Sequence, residues 1–108
     1  MIVTGGENVY SIEVENAIST HPAVGQVAVI GIPSEQWGEA VHAIVVPVPG
    51  AEVTEAEIIA HAREWIAGYK VPKSVEFRAD PLPLSGAMKV LKRDLRAPYW
   101  EGRGRSVN

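Results

Sequence analysis

Val41-His42-Ala43-Ile44-Val45-Val46-Pro47-Val48-Pro49-Gly50 runs on into Thr54-Glu55-Ala56-Glu57-Ile58-Ile59-Ala60-His61-Ala62, and the two halves obey different periods. In the first half both faces of Val41 to Val46 are mostly apolar. That pattern predicts a central strand covered on each side, beginning at Glu39 or Ala40 and ending at Val48. Pro49-Gly50 then makes a turn. In the second half Thr54, with Glu57 three residues on, is a capping-box signature. Ile58, Ile59, Ala62, Trp65 and Ile66 trace a 3.6-residue stripe, so Trp65 is expected in the core and Gly68 is expected to stop the helix.

Upstream, Val24 to Ile32 reads as a strand ended by Gly31 and Pro33, and Pro33 to Gly38 is turn chemistry. Ile2-Val3 and Val9-Tyr10 flank a Gly5-Gly6 loop, which predicts an N-terminal hairpin. Ser11 is expected to cap a helix with Val14, Ala17 and Ile18 on its apolar face, ending near Ser19 to Pro22. Glu13 and Glu15 are explained there as helix-start carboxylates and are assigned no chemistry. Downstream, Ser74 to Arg78 reads as a short strand. A proline-rich loop from Pro81 to Gly86 leads to a helical turn or two over Val90 to Leu95. The tail from about Ala97 to Asn108 is expected to be weakly ordered. The order β-β-α-β-β-α-β-α gives an α+β fold: a small sheet of about three strands flanked by helices, with an N-terminal β-hairpin.

The 108 residues fit one domain, 1–108, and the apolar fraction of 46% is that of a globular protein. A net charge of −3 gives no general attraction to nucleic acid. With no cysteine there is no disulfide, thiolate nucleophile or cysteine metal site. His21, His42 and His61 are scattered, with no second ligand at metal spacing. His21 and His61 are expected on the surface, and His42 in a strand beside a local partner. No apolar run approaches the roughly 20 residues needed to span a bilayer. The N-terminus lacks the basic start and long apolar run of a signal peptide. A cytoplasmic setting is expected.

Two segments carry a resemblance: Met1-Ile2-Val3-Thr4-Gly5-Gly6-Glu7-Asn8-Val9-Tyr10-Ser11-Ile12-Glu13-Val14-Glu15, and Leu82-Pro83-Leu84-Ser85-Gly86-Ala87-Met88-Lys89-Val90-Leu91-Lys92-Arg93-Asp94-Leu95-Arg96. Between them stand Pro33 to Ala40 and Tyr69-Lys70-Val71-Pro72, in the same order. Together they resemble the C-terminal domain of the AMP-forming acyl-CoA synthetase superfamily, which includes peptide-synthetase adenylation domains and luciferases. The tail Arg96 to Arg103 is similar to endings of bacterial fatty-acyl-CoA ligases.

That resemblance implies an ATP-dependent reaction in two steps, carboxylate to acyl-adenylate and acyl-adenylate to CoA thioester. It implies a mobile C-terminal domain whose partner is the large N-terminal domain of the same polypeptide, which holds most of the ATP and acyl pockets. Mg2+ is expected in the parent enzyme outside this domain. The chain contains no Ser/Thr/Gly-rich phosphate loop. The family's hinge residue would fall just before Met1, so the chain is expected to begin at the hinge and to be inactive alone.

The implied catalytic residue is Lys89, a cation against the charge that gathers where carboxylate meets α-phosphate. The residue before it is Met88, where the family usually has glycine. Lys92, Arg93 and Arg96 are expected to form a solvated face, one of them near a CoA phosphate or the other domain. For CoA, Gly5 and Gly6 would let the pantetheine arm pass close to backbone amides, although they also serve as ordinary hairpin glycines. Trp37 is implied beside the CoA nucleotide, with core packing the alternative. Tyr69 and Lys70 offer a ring and a cation near adenine or phosphate, with Lys73 in support. The alternatives are the C-terminal subdomain of a peptide-synthetase adenylation domain and a non-catalytic interaction module using Lys89 to Arg96.

Overall fold

The computed structural model describes residues 2–82 and 92–100. In chain order these form β1 (Ile2–Thr4), β2 (Glu7–Val9), α1 (Ser11–Ser19), β3 (Val24–Ser34), β4 (Gly38–Pro47), α2 (Glu55–Arg63), a short 3₁₀ turn (Gly68–Lys70), β5 (Ser74–Phe77) and α3 (Lys92–Trp100). The expected α+β order is what the chain adopts.

The sheet has five strands in the order β2-β1-β4-β3, with β5 also paired to β4. It is larger than the expected three because the hairpin joins it, through the pair Thr4 and Gly38. Glu39 strengthens that join, its Oε1 accepting the Val3 N–H at 2.8 Å. β3 and β4 pair antiparallel from Val24 opposite Pro47 to Ser34 opposite Gly38. β5 runs parallel to β4, His42 beside Ser74 and Val45 beside Phe77. A parallel neighbour requires a crossover, and α2 supplies it.

β4 is the centre of the domain. Val41, Ala43 and Val45 point to one face, where they pack with Val14 and Ile18 of α1 and Ile58 and Ala62 of α2. Ile44 points to the other, with Ala28 and Ile30 of β3, Leu82, and Leu95 of α3. The strand is apolar on both faces because helices cover both. β3 runs on through Pro33, beyond the stop expected near Ile32. It lies at an edge of the sheet, where a missing N–H costs no ladder bond.

The capping box at α2 is formed. Glu57 N–H donates to Thr54 Oγ1 at 3.2 Å, and Thr54 N–H donates to Glu57 Oε1 at 3.1 Å. The far end of the helix departs from expectation. Glu64 and Trp65 donate to carbonyls three residues back, at His61 and Ala62. Three-residue turns rotate the chain faster than a 3.6-residue stripe allows. Trp65 is therefore carried off the core face and is 59% exposed, while Ile66 still packs against the core. Gly68 opens the 3₁₀ turn and does not close α2.

Three further expectations change. Tyr10 occupies the N-cap position of α1 without a side-chain cap, and Ser11 is the first helical residue. Its hydroxyl accepts from Lys92 Nζ at 2.8 Å. The last helix extends to Trp100, past the point where a loose tail was expected. Trp100 is buried there, its Nε1–H donating to Gly31 O at 2.9 Å. His21 and His61 are half-buried and meet edge to face, ring centroids 5.0 Å apart.

These contacts rank two substitutions. Ile44→Ala should cost about 2–5 kcal/mol, because it opens a cavity beneath α3. Thr54→Ala should cost about 1 kcal/mol, because it removes one cap. Urea unfolding of the chain, followed by far-ultraviolet circular dichroism, measures both.

Candidate functional site

The β1–β2 turn consists of Gly5 and Gly6, with φ of 58° and 83°. Residues with a Cβ adopt this left-handed region only at a cost, so the turn is open to glycine and nearly closed to anything large. Gly5 N–H donates to Trp37 O at 3.0 Å, which ties this turn to the β3–β4 turn. A Cβ on Gly5 would meet Trp37 Cδ1 at 3.4 Å, whereas nothing lies within 4 Å of one on Gly6. Trp37 is 36% exposed. Lys73 Nζ stands 5.2 Å from its ring centroid, a cation on an aromatic face. Lys73 is placed by its own N–H, which donates to Val41 O at 2.8 Å.

Three segments far apart in sequence thus converge on one corner: a turn without side chains, a half-exposed indole and an ammonium group. Among the described residues Lys73 has no carboxylate partner. Such a corner can hold a flat ring against Trp37 and an anion against Lys73 while admitting a thin chain past Gly6.

Tyr69 and Lys70 answer differently. Tyr69 is exposed, and Lys70 Nζ lies 5.6 Å from its ring centroid. Lys70 Nζ also donates to both carboxylate oxygens of Glu13, at 2.9 and 3.0 Å. The hydrogen bonds to Glu13 are the main reason its pKa lies above that of an ordinary lysine. Lys70 therefore spends its charge inside the domain, and Glu13 has a partner beyond the helix terminus. Sequence reading missed this pair because the two stand 57 positions apart.

Lys89 and Met88 lie outside the described residues. The chain on either side of them is well anchored. Leu82 N–H donates to Gln26 Oε1 at 3.0 Å. Lys92, expected on a solvated face, pairs with Glu15 at 2.6 Å. Glu15 also accepts the Val29 N–H at 2.9 Å, so it joins α1, β3 and α3. Arg96 is half-buried and lines a small crevice with Lys92, Ser11 and Glu39.

Beneath α3 lies a polar chain. His42 is 5% exposed on β4. Its Nδ1 meets Ser74 Oγ at 2.6 Å and its Nε2 meets Tyr99 Oη at 3.0 Å. Tyr99 donates to Glu76 Oε1, and Arg78 Nε donates to Glu76 Oε2 at 3.1 Å. Because the Tyr99 proton goes to Glu76, its oxygen accepts from His42 Nε2–H, and the Ser74 hydroxyl then donates to Nδ1. Every group is satisfied with His42 neutral.

Burial lowers the His42 pKa, against the pull of Glu76. Burial alone would raise Glu76, but hydrogen bonds from Tyr99 and Arg78 hold it below the ordinary carboxylate value. Burial, then the bond to Glu76, pushes Tyr99 up to about 12. His42 has the local partner expected of it. Tyr99 was missed, although two aromatics at Tyr99-Trp100 in a polar tail were the available signal.

A model of the AMP-binding enzyme C-terminal domain matches residues 13–89. A feruloyl-CoA synthase from an Amycolatopsis species is 50% identical over 99 residues, 92% of this chain and 20% of that protein. A medium/long-chain fatty-acid–CoA ligase of Mycobacterium tuberculosis is 46% identical over 114 residues, 99% of this chain and 20% of that protein. Among solved structures, a Mycobacterium tuberculosis fatty acyl CoA synthetase aligns with a TM-score of 0.84 and 46% identity, over 92% of this chain and 19% of that one. The chain spans about a fifth of the length of the curated relatives it matches.

His42 sets a pH dependence with a definite sign. Below its ordinary value of 6.5, the unfolded chain takes up a proton that the folded chain resists. Its contribution to stability is full above that value and is lost as pH falls toward the lower folded value. Urea midpoints measured from pH 7.5 down to 5.5 should fall, and His42→Asn should flatten that part of the profile.

Proposed function

The chain belongs to the AMP-binding enzyme C-terminal domain family of acyl-CoA synthetases, and on that premise we propose that it is the mobile small domain of an ATP-dependent, AMP-forming ligase joining a fatty or related carboxylic acid to CoA. In the first step a carboxylate oxygen of the acid attacks the α-phosphorus of ATP. The α–β phosphoanhydride bond breaks, pyrophosphate leaves, and acyl-adenylate remains. In the second step the CoA thiol attacks the acyl carbon, its proton is lost, and AMP leaves with the carboxyl oxygen.

The ATP and acyl pockets belong, in this reading, to a large domain of the same polypeptide, the small domain's partner. The Mg2+ that accompanies ATP would be held there too. Lys89 is the residue that this chain brings to the first step. Two anions meet there, and a unit charge 4 Å away is worth roughly 4 kcal/mol at an effective dielectric near 20. A cytoplasmic setting accords with these substrates. Among the described residues, no helix is long and apolar enough to cross a membrane.

The convergence of Gly5, Gly6, Trp37 and Lys73 is the observation that carries the second step. The pantetheine arm passes the bare Gly5–Gly6 turn, and the nucleotide of CoA lies near Trp37, with Lys73 as its phosphate cation. Tyr69 offers a second ring. Lys70, tied to Glu13, supports the Tyr69 turn and is the weaker candidate for phosphate.

The two half-reactions of the full-length ligase separate these roles. Lys89→Ala should slow pyrophosphate release by about 10²–10³ and largely spare thioester formation from supplied acyl-adenylate. Gly6→Trp should do the reverse, since it fills the turn past which the thiol arm must run. Equal loss of both half-reactions in Lys89→Ala would reduce that lysine to a structural residue and overturn the assignment. The chain of 108 residues by itself should release no pyrophosphate from ATP and a fatty acid.

A further inference from the structure

The Gly5–Gly6 turn stands at the tip of a hairpin that has little hold on the rest of the sheet. Its strands are three residues each, and β1 meets β4 through one register pair, Thr4 and Gly38. Ile2 and Val9 anchor the base of the hairpin in the core. Toward the tip the hold is polar. Gly5 N–H donates to Trp37 O at 3.0 Å, and Val3 N–H donates to Glu39 Oε1 at 2.8 Å.

The second of these bonds is unusual in its acceptor. Continuing the antiparallel register from Thr4 and Gly38 sets Val3 opposite Glu39, where a ladder would use the Glu39 carbonyl. The Glu39 carboxylate is the acceptor instead, which makes the bond charge-assisted and lets a side chain set how closely β1 approaches. Gly31 on β3 leaves room for it. A Cβ on Gly31 would stand 3.2 Å from Glu39 Cδ and 3.2 Å from Ile2 Cγ2, so a methyl group there must push both by a few tenths of an ångström.

Val3 is exposed, so water can replace the carboxylate as acceptor for its N–H. The bond therefore contributes more to geometry than to stability. Without it β1 keeps its apolar anchor at Ile2 but loses the contact that directs the strand toward Trp37.

We propose that Glu39 is a positioning residue for the thioester-forming step, holding the Gly5–Gly6 turn at the distance from Trp37 that the CoA arm requires. It touches no substrate; it acts through Val3 and the turn that begins two residues later. This role rests on the ligase reading above and deepens its second step. A turn displaced by about 1 Å can cost about 10²-fold in rate.

The test compares Glu39→Ala and Glu39→Gln with Gly6→Trp in the full-length ligase, each half-reaction being measured separately. Glu39→Ala should slow thioester formation from supplied acyl-adenylate by about 10- to 100-fold. Pyrophosphate release and the urea midpoint should stay near wild type. Glu39→Gln keeps an oxygen acceptor for Val3 N–H and should recover most of the thioester rate. Amide hydrogen exchange over residues 2–9 should quicken in Glu39→Ala and not in Glu39→Gln.

A merely structural role would lower both half-reactions together, and that result overturns the proposal. Unchanged exchange over residues 2–9 in Glu39→Ala overturns it too. Glu39 also lines the crevice that Lys92 and Arg96 share. A Glu39→Gln variant as slow as Glu39→Ala would mean that the charge facing those cations matters, not the bond to Val3, and the proposal fails. A thioester rate unchanged in Glu39→Ala while Gly6→Trp blocks it removes the role of Glu39 and leaves the ligase reading standing. If Gly6→Trp itself ligates CoA normally, the reading of the turn fails first and the positioning role falls with it. Should Glu39→Ala not fold, Gly31→Ala displaces the same carboxylate from β3 and is read by the same criteria.

Discussion

β4 must be dry on both faces and paired along both edges, and the rest of the domain follows from that requirement. A strand with Val41, Ala43 and Val45 on one side and Ile44 on the other cannot face water on either side. Two helices close one face and α3 closes the other. The edges are taken by β3 on one side and by β1 with β5 on the other. Trp37 sits in the turn that delivers β4, the Gly5–Gly6 turn hangs on its first residue, and Lys73 is fixed by a bond to Val41 O. The corner assembled by those three segments is thus a by-product of burying one strand.

Much of this was legible because it depended on near neighbours in sequence. The capping box needs only Thr54 and Glu57, and the double-sided strand needs only its own apolar run. Failures came where a longer-range contact or a change of local geometry intervened. Trp65 fits the α2 stripe by position, but the helix tightens one residue too early for it to stay inward. Ser11 looks like a cap, yet its hydroxyl is engaged by Lys92, 81 residues away. Tyr99 and Trp100 read as tail until the sheet supplies Glu76, His42 and Gly31 as partners.

The candidate site was legible in the same uneven way. Gly5, Gly6 and Trp37 were named from motifs, and the chain brings them together. Lys70 was named with them, but Glu13 neutralises it from another element, leaving Lys73 as the cation beside the indole. No pattern in the sequence distinguishes these two lysines, because the difference lies in which carboxylate the fold happens to set nearby. The lysine loop itself was recognised by resemblance, and the order of four motifs carried that recognition where composition carried none.

β3 has a long outer margin rich in Val, Ala and Ile, the sort of strand that invites a second chain to add itself. Along that margin two backbone groups are already engaged, and a third donor is missing. Glu15 takes the Val29 N–H, Trp100 takes the Gly31 carbonyl, and Pro33 has no N–H to offer. These are alternate residues, the ones whose groups point away from β4. α1 and α3, which cover opposite faces of the sheet, therefore also blunt its edge against self-association. Undocking α3 would expose Gly31 O. Its loss would be felt as aggregation.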